Sequence, residues 1–91
     1  MIEQKRDANE REIITVARHA GADVTQMDKS AGFDLLVSHR SGNHIVEVKN
    51  PAYKWKFTRA EEVKMRRVEK AGQTYNVVEC AEDMLEVLGM K

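Results

Sequence analysis

The chain has 91 residues, a length typical of one small domain, so we predict a single domain over residues 1–91. Its 15 basic and 15 acidic residues balance, which argues against a protein that coats nucleic acid through overall positive charge. The single cysteine, Cys80, excludes an internal disulfide, and we expect it to be a small buried side chain in a reducing cytoplasm. The first twelve residues are polar, and no apolar run approaches the roughly 20 residues of a membrane span. We therefore expect a cytoplasmic protein without a signal peptide or membrane association.

Seven elements are predicted, in the order α-β-β-β-α-β-α, from hydrophobic periodicity and from turn and capping residues. The first helix is expected to start at a capping box formed by residues 7–10 and to end near Gly21. The others are a weak strand at 22–27, strong strands at 33–39 and 44–49, a helix at 58–71 stopped by Gly72, a strand at 74–79 and a helix at 81–88. This order indicates an α/β fold with a mixed sheet flanked by helices.

The two strong strands are predicted to form a hairpin, because residues 40–43 are a turn signal between two apolar runs. A turn centred there places Asp34 opposite Lys49, and Leu36 opposite Glu47. Asp34 and Glu47 would then be diagonal neighbours on one face, with Cα atoms roughly 7–8 Å apart. Two carboxylates at that spacing can share one divalent ion, because metal–oxygen bonds are about 2.0–2.6 Å long.

Three charged residues, Asp34, Glu47 and Lys49, lie in these largely apolar strands. Charges buried among apolar residues cost several kcal/mol unless they are paired or bind a metal, so they favour a metal-binding phosphodiesterase site. The alternative is a structural ion pair across the hairpin, which is common on exposed sheet surfaces and contributes little stability.

Glu10 is a further candidate with two interpretations. It lies on the helical stripe of Ile13, Ile14 and Ala17, which should pack on the sheet, so its carboxylate could reach those of the strands. Alternatively, it is only the second member of the capping box and stabilises the helix start.

A basic segment with interleaved aromatic residues follows the second strong strand. Lysine and arginine attract phosphates, and aromatic rings can stack on exposed bases at a junction or flap. The alternative is a solvated helix face with an aromatic anchored in the core. Beside a metal site, we predict that the segment binds DNA through Lys54, Trp55, Lys56, Arg59, Lys64 and Arg67.

The pattern of Asp34, Glu47 and Lys49, set in this element order, resembles the PD-(D/E)xK nuclease superfamily with its restriction-endonuclease-like core. Residues 45–51, with the helix, strand and short helix of residues 57–88, resemble the stand-alone VRR-NUC domain of bacteria and phages, which implies a bacterial or phage-encoded protein. Glu10 and Arg11 also resemble the Glu-Arg pair in the first helix of archaeal Holliday-junction resolvases. Two features differ: Gly-Phe stands before Asp34 where the superfamily name has proline, and a glutamine often found in the second helix is replaced by Glu61 or Glu62.

The resemblance implies metal-assisted hydrolysis of DNA. Asp34, Glu47 and the Val48 carbonyl would bind Mg²⁺ or Mn²⁺, and Glu10 would complete the site directly or through water. Lys49 would orient or deprotonate the attacking water, or stabilise the transition state. The alternatives are a nicking, flap or restriction-type nuclease and a catalytically silent DNA-binding module of the same fold.

We expect a homodimer acting on Holliday junctions, because symmetric resolution of a four-way junction needs two paired cuts. Surplus apolar residues favour the same conclusion. On the second helix Met65 falls outside the stripe expected to pack on the sheet, and apolar residues of the last helix point to more than one side. The stripe consists of Ala60, Val63, Val68 and Ala71, and the apolar residues of the last helix are Met84, Leu85, Val87, Leu88 and Met90.

Overall fold

The computed structural model describes the backbone of residues 2–91 and the side chains of residues 9–91. Its elements follow the predicted α-β-β-β-α-β-α order, with one short 3₁₀ helix, Lys29–Ala31, that was not predicted. The helices are α1 (Ile2–His19), α2 (Arg59–Lys70) and α3 (Ala81–Val87), and the strands are β1 (Asp23–Gln26), β2 (Leu35–His39), β3 (Gly42–Val48) and β4 (Tyr75–Val78). None of the helices in this described range has the length and hydrophobicity needed to cross a bilayer.

The predicted start of the first helix is wrong. The backbone is already helical from Ile2, so residues 7–10 lie inside α1 and do not cap it. The side chain of Asp7 lies outside the described residues. The packing face was predicted correctly, because Ile13, Ile14 and Ala17 are all buried.

The four strands form one sheet in the order β1-β2-β3-β4. β1, β2 and β3 pair antiparallel, whereas β4 pairs parallel to β3. A parallel pair needs a crossover connection, which α2 supplies. The fold is therefore an α/β fold with a mixed sheet, as predicted.

The hairpin register differs from the prediction. Leu35 pairs with Val46 and Leu36 pairs with Ile45, so Leu36 is not opposite Glu47. The turn is formed by residues 40 and 41 alone, because Gly42, with a φ of 130°, already belongs to β3. Asp34 lies just before β2, opposite Glu47 rather than Lys49, and its backbone N–H donates to the Val46 carbonyl at 3.1 Å.

The two faces of the sheet are covered by different helices. One face packs on α1 and α3 in a cluster that includes Ile13, Val46, Val48 and Met84. The other face packs on α2 in a smaller cluster around Phe33, Val68 and Tyr75, with Ile45 and Met65 against it. Since side chains alternate along a strand, Glu47 lies on the α2 face, between the positions of Ile45 and Lys49.

α2 begins with a complete capping box. The Thr58 side chain accepts the Glu61 N–H, and the Glu61 carboxylate accepts the Thr58 N–H at 2.9 Å. The predicted packing stripe of this helix is largely wrong: Val68 is buried, but Ala60, Val63 and Ala71 are exposed. Met65, predicted to be surplus, packs against the α2-side cluster.

The last helix was expected to be apolar on more than one side, with one face buried in the monomer. That buried face consists of Met84 and Leu88, which lie in the larger cluster, with Val87 packed against it. Met90, beyond this helix, is exposed. Cys80 is also exposed and occupies the N-cap position of α3, so the expectation of a buried thiol is wrong.

Candidate active site

Glu47 is the most unusual residue of the α2 face. Its side chain is 0% exposed, and neither carboxylate oxygen has a hydrogen-bond donor among the described residues. The Lys49 Nζ atom lies 3.2 Å from Oε2, which is ion-pair distance without hydrogen-bond alignment. Burial, the neighbouring Glu61 carboxylate and the charge of Asp34 raise the pKa of Glu47 to about 9. Without a bound cation, this carboxyl group therefore keeps its proton at neutral pH.

Asp34 lies beside Glu47 and is held at the end of β3. Its Oδ2 atom accepts the Val48 N–H at 2.8 Å. In a β-ladder the N–H and C=O of one residue point to the same side, so the Val48 carbonyl is directed towards the side of β3 on which Asp34 lies. The Lys49 N–H points the other way and donates to the Val78 carbonyl at 2.9 Å. The loop before β2 and the end of β3 thus bring together Asp34, Glu47 and the Val48 carbonyl.

Lys49 is only 7% exposed, and three oxygen atoms surround its ammonium group. Glu61 Oε1 lies at 2.9 Å, Glu47 Oε2 at 3.2 Å and the Lys56 carbonyl at 3.3 Å. Burial opposes the charge of Lys49, but the hydrogen bond to Glu61 and, at the alkaline pH where Lys49 titrates, the charge of Glu47 outweigh it and raise the pKa. Lys49 is therefore protonated at neutral pH.

Glu61 is the residue beside Lys49 whose role the sequence left open. Burial opposes its charge, yet the neighbouring Glu47 carboxyl and the hydrogen bonds from Lys49 and the Thr58 N–H lower the pKa of its carboxyl. The charged pair is therefore Lys49 with Glu61, and Glu47 is the neutral member of the cluster. Glu62, the other candidate, is exposed. A capping box starting at Thr58 would have distinguished Glu61 from Glu62, since only Glu61 is three residues after the N-cap and folds back over the helix start.

Glu10 is not brought to these residues. It lies on α1, which packs on the opposite face of the sheet, and it accepts a hydrogen bond from Gln26 Nε2 on β1 at 3.3 Å. It lines a separate depression that also includes Arg11 and Arg18. Its neighbour Asn9 does contact the site's backbone, donating to the Lys49 carbonyl at 3.2 Å.

A metal ion at this site would have two carboxylate ligands, Asp34 and Glu47, rather than three. Among the residues that the structure describes, no group of three or more His, Cys, Asp or Glu side chains is arranged to hold a metal ion. Mg²⁺, however, is commonly bound by one or two carboxylates while keeping several water ligands. The two unsatisfied oxygens of Glu47, with Asp34 and the Val48 carbonyl, are the hard oxygen ligands that Mg²⁺ and Mn²⁺ prefer.

Five of the six predicted DNA-binding residues divide between two surfaces. A cleft of about 340 Å³ beside Lys49 is lined by Lys54, Trp55 and Lys56. Lys64 and Arg67 instead line a depression next to the 3₁₀ helix, where Lys64 Nζ lies 5.8 Å from the centroid of the Phe33 ring. Arg59 is exposed at the first position of α2 and lines neither. The cleft is therefore the part of the predicted segment that adjoins the candidate active site.

Comparisons of the chain with protein-family models, curated proteins and solved structures found no match. A functional assignment therefore rests on the fold and on the chemistry of the side chains described above.

Proposed function

We propose that this protein is a metal-dependent DNA endonuclease that hydrolyses phosphodiester bonds and is related to the PD-(D/E)xK superfamily, with similarity to its stand-alone VRR-NUC domains. The observation that carries the proposal is Glu47, a fully buried carboxyl group whose oxygens lack hydrogen-bond donors among the described residues. It lies next to a second carboxylate, Asp34, and a buried lysine, Lys49.

This arrangement argues against a purely structural ion pair. Lys49 directs its shortest contact to Glu61, at 2.9 Å, and leaves Glu47 without a hydrogen bond. A buried polar group without a partner costs about 1–3 kcal/mol. A divalent cation would supply the missing partner, and it would displace the proton that burial keeps on Glu47.

Each residue of the cluster then has a distinct role. Asp34, Glu47 and the Val48 carbonyl would hold Mg²⁺ or Mn²⁺, and the bound metal would polarise the phosphate and activate a water molecule. Lys49, whose raised pKa keeps it charged, suits the stabilisation of negative charge at the phosphate better than the removal of a proton from water. Glu61 positions the Lys49 ammonium. Glu10 is left out of this site, because it packs on the other face of the sheet.

The test is cleavage of linear duplex, flap and four-way-junction DNA in Mg²⁺, with EDTA as the negative control. Asp34→Asn keeps an oxygen that can accept the Val48 N–H but removes the charge, so it should abolish cleavage while the fold is retained. Glu62→Gln, an exposed change on α2, is the matched control and should cleave normally. Binding without cleavage by the unmodified protein would instead identify a silent DNA-binding module, and activity of Asp34→Asn near the unmodified level would refute the assignment.

The preferred substrate within this proposal is branched DNA, particularly a four-way junction, cut by a homodimer in the cytoplasm of a bacterium or an infected cell. One domain carries one such site, and a two-fold dimer would present two sites to one junction. Exposed apolar side chains available for an interface are Tyr53, Val63 and Met90. Light scattering at micromolar concentration should give twice the 10.4 kDa chain mass. A monomer that persists in a one-to-one complex with junction DNA would refute paired cutting.

A further inference from the structure

The cleft beside Lys49 has an aromatic wall that is held in place by the fold. The Trp55 indole N–H donates to Glu79 Oε2 at 2.9 Å. The Trp55 ring meets the Phe57 ring edge-on, with centroids 5.5 Å apart, and Phe57 meets the buried Tyr75 ring in the same way at 6.3 Å. Trp55 nevertheless remains 38% exposed. A loop tryptophan is thus fixed on the core while part of its surface remains open to solvent.

The floor of the cleft offers no free cation to a phosphate other than the one at the proposed metal site. Its buried cation, Lys49, already contacts the carboxylate of Glu61 at 2.9 Å and the carboxyl of Glu47 at 3.2 Å. A second anion placed there would compete with these carboxyl groups for the charge of one ammonium group. The exposed lysines at its rim, Lys54 and Lys56, are the groups available to attract phosphates. The interior of the cleft therefore suits a flat, uncharged group that is attached to phosphates on either side.

We infer that the cleft binds an unpaired nucleobase of DNA, which stacks on Trp55 while Lys54 and Lys56 contact the flanking phosphates. The inference rests on the proposed nuclease function and specifies its substrate class: DNA with a base available outside the double helix, next to the cleaved bond. The volume of about 340 Å³ lies at the small end of ligand pockets, which span roughly 300–1,000 Å³. Because the Trp55 ring is already ordered, stacking a base on it costs little conformational entropy.

The experiment measures DNA binding in EDTA, where metal-dependent cleavage cannot occur. Trp55 is the only tryptophan of the chain, so its emission reports on this cleft alone. Three DNAs of equal length are compared: a continuous duplex, a duplex with one bulged adenine, and the same bulge with an abasic residue. The bulged adenine should quench Trp55 and bind roughly 5- to 150-fold more tightly than the abasic bulge, the range expected for one stacked base.

Variants at the same position test whether the ring itself is responsible, with binding followed by the anisotropy of labelled DNA. Trp55→Ala should lose the preference for the bulged base, and Trp55→Phe should retain most of it. Equal affinity of the unmodified protein for the bulged adenine and the abasic bulge would overturn the inference without requiring any variant.

The two proposals fail in different ways. A protein that cleaves DNA in Mg²⁺ but shows no base preference in EDTA refutes the nucleobase site and leaves the nuclease assignment standing. A protein that prefers the bulged base yet never cleaves refutes the nuclease assignment and supports the nucleobase site.

Discussion

Replacing Glu47 with glutamine should make the protein more stable at alkaline pH when no divalent metal is present. Burial raises the pKa of Glu47 from 4.5 to about 9. Between these values the folded state keeps a proton that the unfolded state has released, so stability falls as pH rises. Each pH unit costs about 1.4 kcal/mol, and the interval from pH 5 to pH 8 therefore costs up to about 4 kcal/mol. Below pH 4.5 this contribution is constant.

The assay is urea unfolding at pH 5, 6, 7 and 8 in EDTA, for the unmodified protein, Glu47→Gln and Glu62→Gln. Every titratable group other than residue 47 is present in both of the first two proteins, so the difference between them isolates Glu47. The unmodified protein should lose stability relative to Glu47→Gln by up to about 4 kcal/mol across the series. Glu62→Gln, changed at an exposed position, should follow the unmodified protein. Parallel pH profiles for Glu47→Gln and the unmodified protein would refute the reasoning.

Magnesium should reverse the effect at pH 8. A ligand that binds only the folded state at 100 times its Kd stabilises that state by about 2.7 kcal/mol. The unmodified protein should gain stability as Mg²⁺ is added, because the cation replaces the proton on Glu47. Glu47→Gln lacks the ionisable ligand and should gain much less. An equal gain in both proteins would show that Mg²⁺ acts elsewhere.

Three further predictions concern binding, catalysis and packing. Lys49→Ala should still bind DNA in EDTA but cleave it at least about 10²-fold more slowly in Mg²⁺, the typical loss for a group that stabilises the transition state. Replacing the exposed residues Lys54, Lys56 and Arg59 together should weaken DNA binding and flatten its salt dependence. The slope of log affinity against log salt concentration should fall by about 0.9 for each phosphate that the variant no longer neutralises. An unchanged slope would rule out a role for these residues in phosphate binding. Gly32→Ala should cost about 2–4 kcal/mol in urea unfolding, because Gly32 has a φ of 81° and an added Cβ would lie 2.7 Å from the backbone of α2. Gly72→Ala, with a φ of 85° and open space around it, should cost only the backbone strain.

The element order was predictable because it depends on local signals. Thr58 marks the start of α2, where its side chain accepts the Glu61 N–H. Gly72 follows the end of the helix, where its φ of 85° favours glycine. The hairpin was also predictable, but its register was not. Residues 40–43 identify the turn region, yet the turn uses only the first two of them and Gly42 continues into β3. A shift of one residue in the turn centre moves every cross-strand pair by two positions.

The site itself was predictable in part. Asp34, Glu47 and Lys49 were recognisable because charged residues in apolar strands require partners, and the structure brings all three together. Glu10 was correctly placed on the packing side of α1, where it is half-buried. Helical periodicity, however, gives only the inward side of a helix and not the face of the sheet on which the helix packs. α1 covers the face opposite Glu47, and the face on which a helix packs cannot be predicted from the sequence of that helix.

Glu61 shows why hydrophobic periodicity alone misidentified the inward side of α2. The inward side of this helix carries Glu61, Met65 and Val68, spaced by four and then three residues, so its first inward position is a carboxylate. An apolar pattern does not reveal such a residue, whose inward position is explained only by the buried ammonium of Lys49. Once Glu61 neutralises Lys49, ionisation of Glu47 beside Asp34 would leave the cluster with two net negative charges. Those two charges equal the charge of one divalent cation. A proton on Glu47 and a metal ion at the same carboxyl group are therefore alternative ways to satisfy one buried cluster.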